Sequence, residues 1–402
     1  TTQEYLPLIK HAGPGMIKAS AFVAPGTVTT CIRAGVDWKR ALLWALLLSI
    51  GATLILQEMA GRLGLSASGG IPGFIRSSIS RPLLRILFLG VVLSGIVVGN
   101  AAYEAGNISG AVLGLEAIFG SDGTYYFPYL VGIAAFGLLW FGNYRSLERV
   151  FTTLVLIMSL SFLITAVLTR PDLSEVLRGL FIPEVGSENV LTVIALVGTT
   201  VVPYNLFLYT SLVSEKWESI DALRPMRRDI ILSVLVGGLV SMSILITAAG
   251  SGAAVVSSVM DLAAALEPLY GKAARYGMGI GLMAAGITSA ITAPLAAAFV
   301  ARQCFGWPAD RTDWRFRVVW IGVLSMGVLA LSFEVRPLEI IYFAQVANGI
   351  LLPVVGVFLI WAVNSASLMG VFKNNRIQNI LGLTVLLLVT GLGIWSIFKI
   401  FI

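Results

Sequence analysis

Runs of about 20 apolar residues, the length that crosses a hydrocarbon core, recur eleven times along this chain of 402 residues. They fall near 13–35, 41–62, 86–118, 128–143, 149–168, 188–214, 230–250, 276–304, 317–333, 338–364 and 378–400. At bilayer depth every backbone N–H and C=O needs a partner, so such runs must be helices. Composition leaves no soluble alternative: 57% of the residues are hydrophobic, 12% are charged and the mean hydropathy is +0.90. Too little polar surface exists to cover a water-soluble domain of this size. The reading is an all-α, multi-pass protein of the lipid bilayer.

The formal charge of +6 is no argument for a nucleic-acid partner, because basic residues in a membrane protein first report orientation. With the N-terminus in the cytoplasm, 17 of the 27 Lys and Arg fall on the cytoplasmic side. That bias predicts a plasma (inner) membrane protein with a cytoplasmic N-terminus and a first helix that serves as its own insertion signal. Cys31 and Cys304 lie near helix ends on opposite predicted sides, so no disulfide, metal cluster or other cofactor is expected. The sequence leaves the oligomeric state open.

Two of the apolar runs are interrupted. The first contains Ala24-Pro25-Gly26-Thr27 and the sixth contains Pro203 within VGTTVVPYNLFLYTSLV. Proline removes a backbone donor and clashes with the preceding turn, so each helix should break there. Unwound backbone in a bilayer is tolerated where it lines a binding site or a cavity. The breaks are five helices apart, and an odd repeat length turns the second repeat upside down. Residues 13–168 and 188–364 therefore read as an inverted 5+5 repeat, with 378–400 as an added eleventh helix.

These residues also carry a family resemblance. Gly13-Pro14-Gly15 followed by the Pro-Gly break, TTVVPYNLFLYTSLV, GLMAAGITSAITAPLAAAFV and AQVANGILLP together resemble the NRAMP family over residues 13–364. The resemblance implies the LeuT-type inverted-repeat fold with discontinuous first and sixth helices. It also implies, usually, proton-coupled uptake of manganese or ferrous iron. The chain departs from the pattern at the metal site. Where relatives usually carry Asp-Pro-Gly-Asn and Met-Pro-His-Asn, it has Ala24-Pro25-Gly26-Thr27 and Val202-Pro203-Tyr204-Asn205. An Asp of the third helix is replaced by Ala101, while the Glu three residues later is kept as Glu104. The sixth-helix histidines of relatives correspond to Tyr204 and Tyr209, leaving His11 as the sole histidine. In the eighth helix, Gly286-Ile287-Thr288-Ser289 stands where Gly-Gln-Ser-Ser is common.

With the carboxylate and thioether gone, the restarted half-helices offer unpaired N–H groups and the positive ends of their dipoles. Such ends favour an anion. The expected substrate site comprises Ala24, Gly26, Thr27, Val28 and Thr29 on one break. Thr199, Val202, Tyr204 and Asn205 form the other, with Gln345 approaching from the tenth helix. Lys18, within the first helix, either neutralises a departing anion or snorkels to the interface. Glu104 pairs with Arg33, with an arginine of the sixth-to-seventh loop, or with a proton. Tyr209 joins Lys18 and Glu104 as a candidate for the permeation path or for coupling. Asn348, Asn100 and Asn107 read as interhelical hydrogen-bonding and packing residues.

The expectation drawn from this pattern is a secondary-active, alternating-access transporter of a small inorganic or one-carbon anion, with bicarbonate preferred. The coupling ion would be a proton or sodium. The alternative is a divalent-metal transporter for magnesium or manganese, with or without proton coupling. A transport-inactive sensor or scaffold is the third reading. No nucleophile–base arrangement, phosphate loop or metal-ligand spacing supports an enzyme.

Overall fold

The computed structural model describes residues 24–66, 70–141, 145–217, 222–308, 312–333 and 336–401. His11, Gly13, Gly15 and Lys18 lie outside them. The described residues form helices and connecting turns. The main helices are α1 (Pro25–Trp38), α2 (Leu43–Ser66), α3 (Pro82–Phe119), α4 (Phe127–Phe141), α5 (Arg145–Leu168) and α6 (Val190–Thr200). They continue with α7 (Pro203–Lys216), α8 (Leu223–Ala249), α9 (Ala274–Phe305), α10 (Trp314–Ala330), α11 (Pro337–Val363) and α12 (Arg376–Phe401). With α6 and α7 as the halves of one interrupted span, nine of the eleven expected segments are described helices long and apolar enough to cross a membrane; α4 is a shorter apolar helix, and the segment 13–35 is described only from residue 24.

Each interruption lies where proline demands it. Ala24 is extended (φ −66°, ψ 158°) and Pro25 opens α1. Val202 is likewise extended (φ −78°, ψ 120°) before Pro203 opens α7. Proline's fixed φ suits the first helical position, where its missing N–H costs nothing.

Two boundaries differ from the sequence reading. The polar stretch 214–229 is not simply a connector, because α7 runs to Lys216 and α8 begins at Leu223. Hydropathy detects the hydrocarbon core, whereas a helix continues through polar headgroups as long as its residues favour it. Pro225 is tolerated because it sits in the first turn of α8, where an N–H has no helical partner. Short helices also form between spans, including Leu173–Phe181, which Asp172 caps by accepting the Ser174 N–H at 2.8 Å.

The longest helix, α3, has 38 residues and so runs about 57 Å at 1.5 Å per residue. Its first half is apolar but exposed, as at Leu83, Ile86 and Leu87, while its second half from Gly99 to Gly114 is buried. Exposed apolar side chains continue around the molecule at Ile133, Leu156, Leu232 and Leu387. A surface this apolar is the face a bilayer covers. The interior is built on α3 and α9, which pack along one another more extensively than any other pair. Their closeness rests on small residues: a Cβ on Gly114 would lie 2.5 Å from the Gly279 carbonyl oxygen and from the Met283 nitrogen. Both are backbone atoms, so the clash could be relieved only by separating the helices.

Gly114→Ala is therefore expected to destabilise the protein by roughly 1–3 kcal/mol through overpacking. Gly137→Ala, where a Cβ meets nothing within 4 Å, is expected to melt like the parent. Thermal denaturation of both variants in detergent checks this, and equal melting temperatures would remove the α3–α9 contact as a determinant of stability.

Candidate functional site

The two breaks meet. Thr27 on α1 and Thr199 on α6, 172 residues apart, share a buried hydrogen bond of 2.9 Å between their hydroxyls. Gln345 on α11 closes the third side, since a Cβ on Gly26 would lie 2.2 Å from the Gln345 amide nitrogen. Only glycine at position 26 lets that amide lie against α1. Gln345 is buried, and its side-chain oxygen has no hydrogen-bond partner. Pro203 has no N–H, so the Thr199 carbonyl four residues earlier lacks its helical donor. The breaks thus bring together a buried amide oxygen, a carbonyl freed from the helical ladder and two hydroxyls.

Three of the N–H groups expected to face a substrate are engaged within the breaks. Thr27 and Val28 both donate to the Ala24 carbonyl, at 2.9 and 3.2 Å, and Asn205 donates to the Val202 carbonyl at 3.0 Å. The Thr29 hydroxyl turns back onto the Pro25 carbonyl at 2.9 Å. Tyr204 packs edge-on against Tyr103, with ring centroids 5.3 Å apart. Val28 and Val202 are buried apolar side chains. The restarted helices close their first turns on themselves.

Glu104 and Tyr209 do not close this junction, although Glu104 lies within electrostatic reach of Tyr204. Glu104 is fully buried on α3, accepts from the Asn107 side chain at 3.2 Å and leaves its other oxygen without a partner. Arg33, one of its expected partners, instead contacts Glu339 at 3.4 Å and Asp37 at 3.7 Å. Gly327 of α10 packs directly on Glu104, where a Cβ would come within 2.6 Å of its Cγ. Tyr209 belongs to a cluster with Val213, Met226 and Ile230 and faces Asp229 of α8. Asn100 donates to the Ala293 carbonyl at 3.1 Å, tying α3 to α9 as its packing role required.

Sequence reasoning missed the constriction beside the junction. Thr29, Thr30, Arg33, Val256, Leu338 and Tyr342 line a crevice of about 10 Å³, room for about one water. Leu338 also lines a vestibule of about 630 Å³ that includes Glu116, Arg275 and Arg336. Arg33 lies over the Tyr342 ring at 4.3 Å, and the Tyr342 hydroxyl is 3.1 Å from that of Thr192. The contacts link α1, α6 and α11 between vestibule and junction. Arg33 and Glu339 are 306 residues apart, and no local pattern joins them.

The sequence matches, over residues 15–399, the family described as natural resistance-associated macrophage protein-like, Nramp. The chain belongs to the Nramp family. It is 27% identical over 380 residues to a divalent metal cation transporter MntH of Verminephrobacter eiseniae, covering 91% of this chain and 84% of that one. The identity to MntH of Yersinia pestis is 25%, over 95% and 93% of the two chains. A crystal structure of a mutant manganese transporter from Eremococcus coleocola superposes with a TM-score of 0.76 at 19% identity, covering 98% and 88%. The transporter MhsT, solved with L-phenylalanine, gives a TM-score of 0.58 at 15% identity over 94% and 97%. This Nramp chain has the LeuT-type fold and is a multi-pass membrane protein.

These relatives overturn the small-anion expectation, bicarbonate included, because they are named for divalent metal cations. The geometry supplies the physical reason. The N–H groups of Thr27, Val28 and Asn205, expected to cradle an anion, are closed into the breaks, while the Gln345 side-chain oxygen is left without a partner.

The crevice yields a test. In a background with Cys31 and Cys304 replaced by Ser, Thr30→Cys is expected to react slowly with a membrane-impermeant thiol reagent. Adding Arg33→Ala is expected to speed that reaction several-fold, and an unchanged rate would mean that Arg33 does not obstruct the route.

Proposed function

We propose that this Nramp protein is a secondary-active transporter that carries a divalent metal cation, magnesium or manganese, between the α1 and α6–α7 breaks by alternating access. The observation that carries this reading is the buried, unpartnered side-chain oxygen of Gln345 beside Gly26. A buried polar atom without a partner costs free energy, and a cation repays that cost where another acceptor would not. The donor set consists of Gln345, the Thr199 carbonyl and the hydroxyls of Thr27 and Thr199. All are neutral oxygens, which suit hard cations better than soft ones. Among the described residues no group of three or more His, Cys, Asp and Glu side chains converges. The ion would therefore keep several of its waters, as magnesium commonly does. The names of the relatives support the same cargo.

In this reading residues 13–168 and 188–364 are the two inverted halves and 378–400 is an added helix. The protein sits in the plasma membrane with its N-terminus in the cytoplasm, in keeping with the bias of its basic residues. Glu104 is the group that couples transport to protons: it is the carboxylate nearest in sequence to Tyr103, which packs on Tyr204 beside the α7 break. The packing of Tyr209 against α8 favours a structural role for that residue.

Purified protein in liposomes loaded with a manganese- or magnesium-sensitive dye tests the cargo. Uptake above that of protein-free vesicles is expected for at least one of the two ions. Gln345→Ala is expected to lower it about tenfold, the loss of roughly 1.5 kcal/mol of charge-assisted bonding. Absence of uptake for both ions would sink the reading. With a lumenal pH dye, Glu104→Gln is expected to abolish metal-driven acidification while metal entry persists. Acidification that survives the substitution would exclude Glu104 as the coupling group.

A further inference from the structure

Away from the breaks, α2, α8 and α12 enclose a groove of about 330 Å³. Its lining changes character along its length. Glu58, Arg227 and Gln378 lie toward the end where α2 stops and α8 and α12 begin. Leu54, Ile231 and Leu381 follow one turn further into the apolar zone. Ile231 and Leu381 remain 47% and 45% exposed, so the groove opens on the lipid-facing surface.

The polar end carries excess positive charge. Glu58 accepts from Arg62 at 2.9 Å and from Arg227 at 2.9 and 2.7 Å, so one carboxylate serves two guanidinium groups. Arg62 is buried, and its other N–H groups go to the Phe372 carbonyl and the Asn374 side chain at 2.6 Å. Arg227 is different: its side chain is 42% exposed while Glu58 fixes its position. The uncompensated charge therefore faces the groove. Arg224, one turn before Arg227, and Arg228 are both exposed on α8, and Lys373 and Arg376 are exposed where α12 begins. A positive helix end above an apolar slot matches an amphiphile with a negative head.

We propose that this groove binds one acidic phospholipid, with its phosphate on Arg227 and an acyl chain along Leu54, Ile231 and Leu381. Arg224 and Arg228 strengthen the field at the headgroup. The bound lipid bridges α2, α8 and α12, and through α8 it bears on α1, against which α8 packs closely.

The test uses the full chain, delipidated in detergent and titrated with either phosphatidylglycerol or phosphatidylcholine, and read by native mass spectrometry. One phosphatidylglycerol per protein is expected to survive, in preference to phosphatidylcholine. Arg224→Gln with Arg228→Gln is expected to weaken its retention about tenfold. Ile231→Trp, which fills the slot from an exposed position and leaves the charges intact, is expected to do at least as much. Equal retention of the two lipids, or phosphatidylglycerol retention unchanged in either variant, would overturn the proposal.

Discussion

A backbone carbonyl at bilayer depth must be satisfied, and the two helix interruptions are organised around that constraint. Proline at 25 and at 203 prevents the ladder from continuing, and the chain responds by restarting each helix on its own first turn. Ala24 and Val202 turn extended and their carbonyls take up N–H groups of the turns that follow. What is left over includes the Thr199 carbonyl, which proline deprives of its donor, and the side-chain oxygen of Gln345. Packing then supplies the closeness: Gly26 admits the Gln345 amide, and Gly110 admits the Pro25 ring, whose Cβ would lie 2.1 Å from an added methyl. Two glycines let α1 approach α11 and α3 beside the break at Pro25.

The sequence made the spans legible because hydrocarbon thickness sets their length, and this constraint does not depend on tertiary structure. It made the breaks legible for the same reason, since proline acts on its own backbone. The ends of α7 and α8 were less legible, because helices continue past the hydrocarbon and hydropathy does not register them there. The site was only half visible. Thr27, Thr199 and Gln345 could each be singled out, but their mutual contact depends on segments far apart in the chain. Arg33 with Glu339, and Glu58 with Arg62 and Arg227, were invisible as groups for the same reason.

The electrostatic sign of the junction illustrates how a correct local principle can be outweighed. A helix N-terminus does favour negative charge, but only through donors that remain open. Once Thr27, Val28 and Asn205 donate to the preceding carbonyls, the geometry for cradling an anion is lost and the residual dipole is a diffuse effect. Removing a carboxylate at position 24 does not by itself invert the preference of a site.

The contact between the two breaks also has a mechanical consequence. The Thr27–Thr199 hydrogen bond that joins the breaks belongs to a class worth about 0.6 kcal/mol on average within membranes, close to the thermal energy. A contact that weak aligns α1 and α6 without locking them. Among the described residues the ion pairs nearest the junction are those of Arg33 with Glu339 and Asp37 at the crevice, and all three side chains are partly exposed. The most extensive helix packing is between α3 and α9, and the Arg62 cluster fastens α2 to the segment before α12. Close helix packing thus flanks a junction that small residues and the Thr27–Thr199 contact align.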